Sequence, residues 1–92
     1  MFVSVACDVG NDDHRIAVQK LLSQYGFKKI QRDLYEHTSI AEAALTRLKR
    51  DIDKTTDYYD SVRFYQFPLN ETLVITSLRE KRWRKLVVQG QE

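Results

Sequence analysis

Residues 2–9, FVSVACDV, alternate in character and are rich in β-branched side chains, a pattern that predicts a strand. Val3, Val5, Cys7 and Val9 share one face of it, and Phe2, Ser4, Ala6 and Asp8 share the other. The second face is the informative one. Small side chains at Ser4 and Ala6 let another surface approach closely, and Asp8 points towards that surface. Gly10 and Asn11 form a turn, with Asp12 placed to cap the helix behind it. In that helix Val18, Leu21, Leu22 and Tyr25 repeat at i, i+3, i+4 and i+7, making one apolar stripe. Gly26 stands where a left-handed residue closes a helix. Ile16 lies off the stripe, which leaves a partner contact to account for it.

FKKIQRDLYEH reads as extended structure, two short strands with a bend near Arg32 and Asp33. Ser39 and Glu42 have the spacing of a capping box. A second helix follows, with Ala41, Ala44, Leu45, Leu48 and Ile52 on its inner face, ending around KTTDYYD. SVRFYQF is the next strand, stopped by Pro68, which has no N–H to give a ladder. LNET turns the chain into TLVITSL, and LVV near the end makes a short last strand; Gly90 onward frays. The order is the ferredoxin-like βαββαβ plan, an α+β fold with an additional C-terminal strand. Both helices cover one face of the sheet, so the bare face should meet a partner. The expected division is a ferredoxin-like domain over residues 1–78 and a basic C-terminal tail over 79–92. That tail carries a short strand that can be exchanged onto the partner sheet.

Ninety-two residues with 42% hydrophobic and 30% charged side chains describe one small globular domain rather than a disordered chain. A core of that size gains from burial against a second copy, so a homodimer is expected. Charge is unevenly placed: residues 1–46 carry five Lys/Arg against six Asp/Glu, and residues 47–92 carry ten against seven. The excess sits in REKRWRK (79–85), read either as a solvated face or as a phosphate-contacting patch. Cys7 is the single cysteine, which excludes a disulfide framework and a cysteine zinc cluster, and its apolar setting makes it a structural thiol. There is no signal-peptide pattern and no membrane-length apolar run, so a cytoplasmic protein is expected.

The two histidines, His14 and His37, lie far apart without cysteine partners, which argues against zinc. Asp8, Asp12 and Asp13 are hard oxygen donors suited to Mg²⁺ or Mn²⁺. Asp12 and Asp13 read more simply as acids complementing a helix N-terminus. Asp8 differs because it faces the open side of the sheet, where one carboxylate per chain becomes two across a dimer axis. Glycine is too scarce for a phosphate-cradling loop, and no nucleophile motif is present. Candidate phosphate contacts are Arg15, Lys28, Lys29, Arg32, Arg47, Lys49 and Arg50, with Arg79, Arg82 and Arg84 in the tail. Trp83 among these cations can stack on a base or close the edge of the core.

VACDVGNDDHR, the helix ending LLSQYG, then IQRDLYEH and DSVRFYQFP resemble, in order and spacing, the small CRISPR-associated adaptation protein of the Cas-two family. The resemblance implies a ferredoxin-like homodimer that works with the Cas-one integrase on double-stranded DNA during spacer capture. It also implies a metal-dependent endonuclease acting on RNA or double-stranded DNA. By the same resemblance Asp8 is the strand-end aspartate that shares a metal between protomers. Arg15 is the arginine that opens the first helix and contacts the scissile phosphate, and Tyr35 is the aromatic of a strand segment, counted with Lys28, Lys29 and Arg32 among the nucleic-acid contacts. The chain departs from the family pattern at Cys7, where a tyrosine is common, and at Ile16 and Ala17, where further arginines are common. Asp33 and His37 replace a serine and a glycine. The alternatives are an architectural nucleic-acid-binding dimer without catalysis, and a ferredoxin-like dimer that binds a small molecule or a toxin-type partner.

Overall fold

The computed structural model describes residues 1–90. The strands are β1 (Phe2–Asp8), β2 (Lys28–Gln31), β3 (Leu34–His37), β4 (Ser61–Leu69), β5 (Thr72–Arg79) and β6 (Arg82–Gln89). The helices are α1 (Asp12–Gln24), between β1 and β2, and α2 (Glu42–Thr55), between β3 and β4. One sheet of order β2-β3-β1-β4-β5-β6 holds all six strands, every neighbouring pair antiparallel. The first four strands and both helices reproduce the ferredoxin-like arrangement, and β5 and β6 continue it as a meander.

β1 sits between β3 and β4 with both edges hydrogen-bonded, so its alternation is imposed across the sheet. Val5 lies opposite Tyr35 on one side and Phe64 on the other, and Val3 opposite His37 and Gln66. That face packs beneath the helices. Val3, Val5, Phe64, Leu22, Leu48 and Ile52 are fully buried in one cluster that also takes in Val18, Leu45, Val62 and Leu78. The opposite face carries Phe2, Ser4, Ala6 and Asp8, with Phe67, Tyr65, Arg63 and Ser61 as their β4 partners. No element of the described chain covers it.

Several local expectations are corrected. Asn11, not Asp12, caps α1, its side chain accepting the His14 N–H at 3.0 Å, so Asp12 and Asp13 fall in the first turn. α2 begins behind Ala41, which makes no side-chain cap bond, so Ser39 and Glu42 form no capping box. The N–H of Ser39 instead donates to His37 Nδ1 at 3.0 Å. Pro68 does not stop β4: the strand runs to Leu69, and a register shift between Gln66 and Leu69 accommodates the missing donor. The N–H of Gly90 donates to the Glu71 carbonyl at 2.6 Å, so this residue is tied down rather than frayed. Residues 91–92 of the expected tail lie outside the described residues.

Two-residue turns join the last three strands. In the β5–β6 turn both Glu80 and Lys81 have positive φ, the combination whose twist suits a tight hairpin. Neither is glycine, so other contacts must hold that conformation. Lys81 Nζ reaches the end of α2, donating to the Asp53 carbonyl at 2.6 Å, to Asp53 Oδ1 at 2.6 Å and to the Thr56 carbonyl at 3.2 Å. An ammonium there also offsets the helix C-terminal partial charge. β6 then pairs with β5 of the same chain from Arg82 opposite Arg79 to Gln89 opposite Thr72.

Gly26 and Gly10 provide a paired test of the backbone. Gly26 has φ +88°, and a Cβ there would meet His37 Nε2 at 3.0 Å, whereas a Cβ on Gly10 meets nothing within 4 Å. Gly26→Ala is expected to lose more than about 1 kcal/mol in urea unfolding, and Gly10→Ala to be neutral or gain up to about 1 kcal/mol.

Candidate nucleic-acid interface

Asp8 ends β1 on the uncovered face, paired in register with Ser61, and its side chain is exposed. Among the described residues nothing bonds its carboxylate. It lines a shallow hollow with Tyr58, Ser61, Arg63, Arg79 and Arg84. The register explains the assembly: Asp8, Ser61 and Arg79 stand side by side on β1, β4 and β5, with Arg82 next on β6. One carboxylate thus sits at the edge of a cationic row. Tyr58 donates from its hydroxyl to Glu80 Oε2 at 2.6 Å, closing the hollow's rim against the β5–β6 turn. That bond holds the Glu80 carboxyl below its usual range and raises the Tyr58 hydroxyl.

The structure places the other expected site residues elsewhere. Arg15 lies on α1, where its Nη2 is bonded to Asp12 Oδ1 at 2.6 Å, and it does not line the Asp8 hollow. Lys28 and Lys29 are exposed on β2, and Arg32 is exposed in the turn that follows. They occupy the sheet edge opposite β6, five strand spacings or about 24 Å away. Tyr35 is a correction. It is 4% exposed on the helix side of β3, within the core, so it presents no surface to a nucleic acid.

Cys7 lies on the helix side opposite Val62, and its N–H donates to the Asp33 carbonyl at 2.9 Å. Burial, with a smaller contribution from the Asp33 charge, pushes its thiol up to about 12. A thiol that does not ionise near neutrality is no nucleophile, which agrees with the structural role expected of it.

A second donor group was not visible in the sequence. His14 Nδ1 lies 2.8 Å from Asp60 Oδ2 and 3.8 Å from Asp57 Oδ2. One donor atom from each residue falls within 4.8 Å of the others, close enough together to hold a metal ion. Asp60 is 2% exposed, and the same oxygen accepts the Asp57 N–H at 2.9 Å. His14 and Asp60 are 46 residues apart, so no spacing rule could have joined them. The clue lay in topology. The start of α1 and the residue before β4 both follow from the β1 end, because Ser61 pairs with Asp8.

A family model described as CRISPR associated protein Cas2 matches residues 1–86. The chain belongs to the Cas2 family. The match spans all but the last six residues of the 92-residue chain and carries with it a CRISPR-associated adaptation role. A search of curated proteins gives no match. No helix in the described residues is long and apolar enough to cross a membrane.

The Cys7 environment gives a direct check. Because its folded-state thiol titrates above the ordinary value of 9.0, its contribution to stability is fully present below about pH 9 and is lost as pH rises towards about 12. Alkylation by iodoacetamide at pH 8 should be at least about tenfold slower in the native protein than in urea-unfolded protein. Equal rates would mean that the thiol is accessible and ionisable.

Proposed function

We propose that this Cas2-family chain acts in CRISPR adaptation as a homodimer whose bare sheet faces pack together and whose cationic row binds duplex nucleic acid. The observation that carries the reading is the uncovered face itself. Phe67, Leu86 and Val88 remain about half exposed on it, and Ile75 fills the space between its register partners Tyr65 and Leu86. The apolar part of this face is what a second copy would cover, with the charged end left at the rim of the interface. Small side chains at Ser4 and Ala6 let the two sheets come close, which brings both Asp8 carboxylates towards the dimer axis. β6, whose outer edge has no partner strand among the described residues, is the segment that would add to the partner's sheet. The Cas-one integrase is the protein partner that membership of this family suggests.

Asp8 fits a hard divalent cation, Mg²⁺ or Mn²⁺. Its carboxylate is free and exposed, and one or two such oxygens with water complete a magnesium shell. Two Asp8 side chains, one per protomer, would hold the ion. A bound cation would polarise a phosphoryl oxygen and make water acidic enough to attack a phosphodiester near neutral pH. The chain's own residues do the rest. Arg79 and Arg84 meet the non-bridging oxygens of a phosphate beside Asp8, and Arg82 extends the row towards the neighbouring phosphate. Lys28, Lys29 and Arg32, at the far sheet edge, would meet the backbone at a second point.

A non-catalytic reading is favoured by one observation. The Arg15 guanidinium pairs with Asp12 at the surface and lies outside the hollow that Asp8 lines. In that reading the dimer sets the length and path of the duplex, with Asp8 at its interface.

Purified protein and Asp8→Ala, each with Mg²⁺ or Mn²⁺, should differ by about a hundredfold or more in cleavage of RNA or duplex DNA if the carboxylates hold a catalytic ion. Equal rates would leave the architectural reading. Leu86→Glu places a charge on the apolar patch and should convert a dimer to monomer by light scattering. A monomeric wild type would remove the basis of both readings. Duplex affinity should fall steeply with salt, and Arg79→Ala should lower the slope of log K on log salt by about 1.

A further inference from the structure

The two helices cover β1 and its neighbours, while β5 and β6 extend past α2. A hollow of about 650 Å³ lies in the angle between α2 and this overhang, on the side of the sheet opposite Asp8. That volume is within the range of about 300–1,000 Å³ usual for small-molecule sites.

Cationic residues surround it, while the surface turned into the hollow is mostly apolar. Lys49, Arg50 and Lys54 come from α2 and Lys85 from β6, against one carboxylate, Asp53, while Arg84 borders the hollow from the edge strand with its register on the Asp8 face. Asp53 is already committed, accepting from Lys81 Nζ at 2.6 Å and from the Trp83 indole N–H at 2.8 Å. Lys49 is the telling residue. Its Nζ donates to the neutral amide oxygen of Gln66 at 2.8 Å and lies 5.6 Å from the Phe64 ring centroid. Among the described residues it has no carboxylate partner. Burial and then the nearby Lys85 charge hold its ammonium below the usual lysine range.

The hollow also has an aromatic wall. Trp83 is backed by Phe64 at a centroid separation of 6.0 Å, yet 38% of it remains exposed. Its N–H is fixed by Asp53, so the ring has one orientation.

We propose that this hollow binds a nucleotide, with the base on the Trp83 ring and the phosphate between Lys49 and Lys85. A planar base matches a fixed, half-open indole. Two adjacent ammoniums of which one is half-buried match the closely spaced charges of a phosphate better than a single carboxylate. The ligand chemistry is the same for a free nucleoside diphosphate and for a single-stranded nucleic acid. The proposal is independent of the reading of Asp8, which lies on the other face.

Trp83 is the only tryptophan, so its fluorescence reports the site directly. Intact protein is titrated with ADP, with a four-base single-stranded oligonucleotide, with pyrophosphate and with tetraglutamate. ADP or the oligonucleotide should quench Trp83 saturably, and pyrophosphate should displace it. Lys49→Gln and Lys85→Gln should each weaken the affinity by about tenfold. Lys85 is exposed on β6, so its variant tests the site without touching the core. An oligonucleotide bound more tightly than ADP identifies a nucleic-acid strand as the ligand, and the reverse order identifies a free nucleotide. The proposal is overturned if neither gives a saturable change, if both lysine variants bind as well as wild type, or if tetraglutamate binds as tightly as ADP.

Discussion

The central strand β1 has hydrogen-bonded neighbours on both edges and must therefore present alternate residues to two unlike surroundings. Val3 and Val5 go to zero exposure under the helices, and the residues between them face outward. A one-residue slip of register would exchange Asp8 for Cys7 at the strand end and drive a carboxylate towards the core. Burying that charge unpaired costs several kcal/mol, so the register is strongly specified. Everything proposed for the outer face follows from this alternation. Among the described residues there are two helices, both on one side, and none of these residues covers the face that carries Phe2, Ser4, Ala6 and Asp8.

The basic run at residues 79–85 serves this geometry in three ways. Lys81 is structural: it docks on the C-terminal end of α2 and holds a hairpin turn made without glycine. Trp83 continues the anchor through Asp53, and its ring covers Phe64 at the edge of the core. The other cations are distributed by strand alternation. Arg82 and Arg84 share a register face with Asp8, while Trp83 and Lys85 pair with Leu78 and Thr76 on the helix side. The choice between a solvated run and a phosphate-binding patch was thus too coarse. One heptapeptide holds the hairpin and supplies charge to two separate surfaces.

What the sequence made legible was local and periodic. The alternation of β1, the stripe of α1 at Val18 and Leu22, and the left-handed Gly26 all depend on neighbours within a few residues. They reappear in the structure. The helix caps are not legible because several polar residues near each helix start can serve; the Asn11 side chain takes the His14 N–H, and α2 starts behind Ala41 with no side-chain bond. Pro68 was misjudged because its missing N–H matters only where a ladder bond is due, and the β4 irregularity removes that demand. The resemblance makes Tyr35 a nucleic-acid contact, whereas its register with Val5 sends it inward. The His14–Asp60 pair and the α2–β6 hollow each need tertiary placement of distant segments, and no linear pattern encodes them.

Two sets of donors compete for any cation near the end of β1, and their chemistry separates them. His14, Asp57 and Asp60 offer one nitrogen and two oxygens, a set suited to zinc or manganese rather than magnesium. Yet Asp60 is buried and its Oδ2 already accepts from both His14 and the Asp57 backbone. Admitting a cation would break the His14 bond and leave the Asp57 N–H competing for the same oxygen. Losing one of those hydrogen bonds at a buried acceptor costs about 1–3 kcal/mol, which metal coordination would first have to offset. Asp8 carries no such obligation, being exposed and free of protein partners among the described residues. The buried group therefore acts best as a tether, joining the start of α1 to the residue before Ser61. That tether fixes the strand opposite Asp8, and under the proposed function a hard cation falls to the exposed Asp8 carboxylate, which accepts from no other described residue.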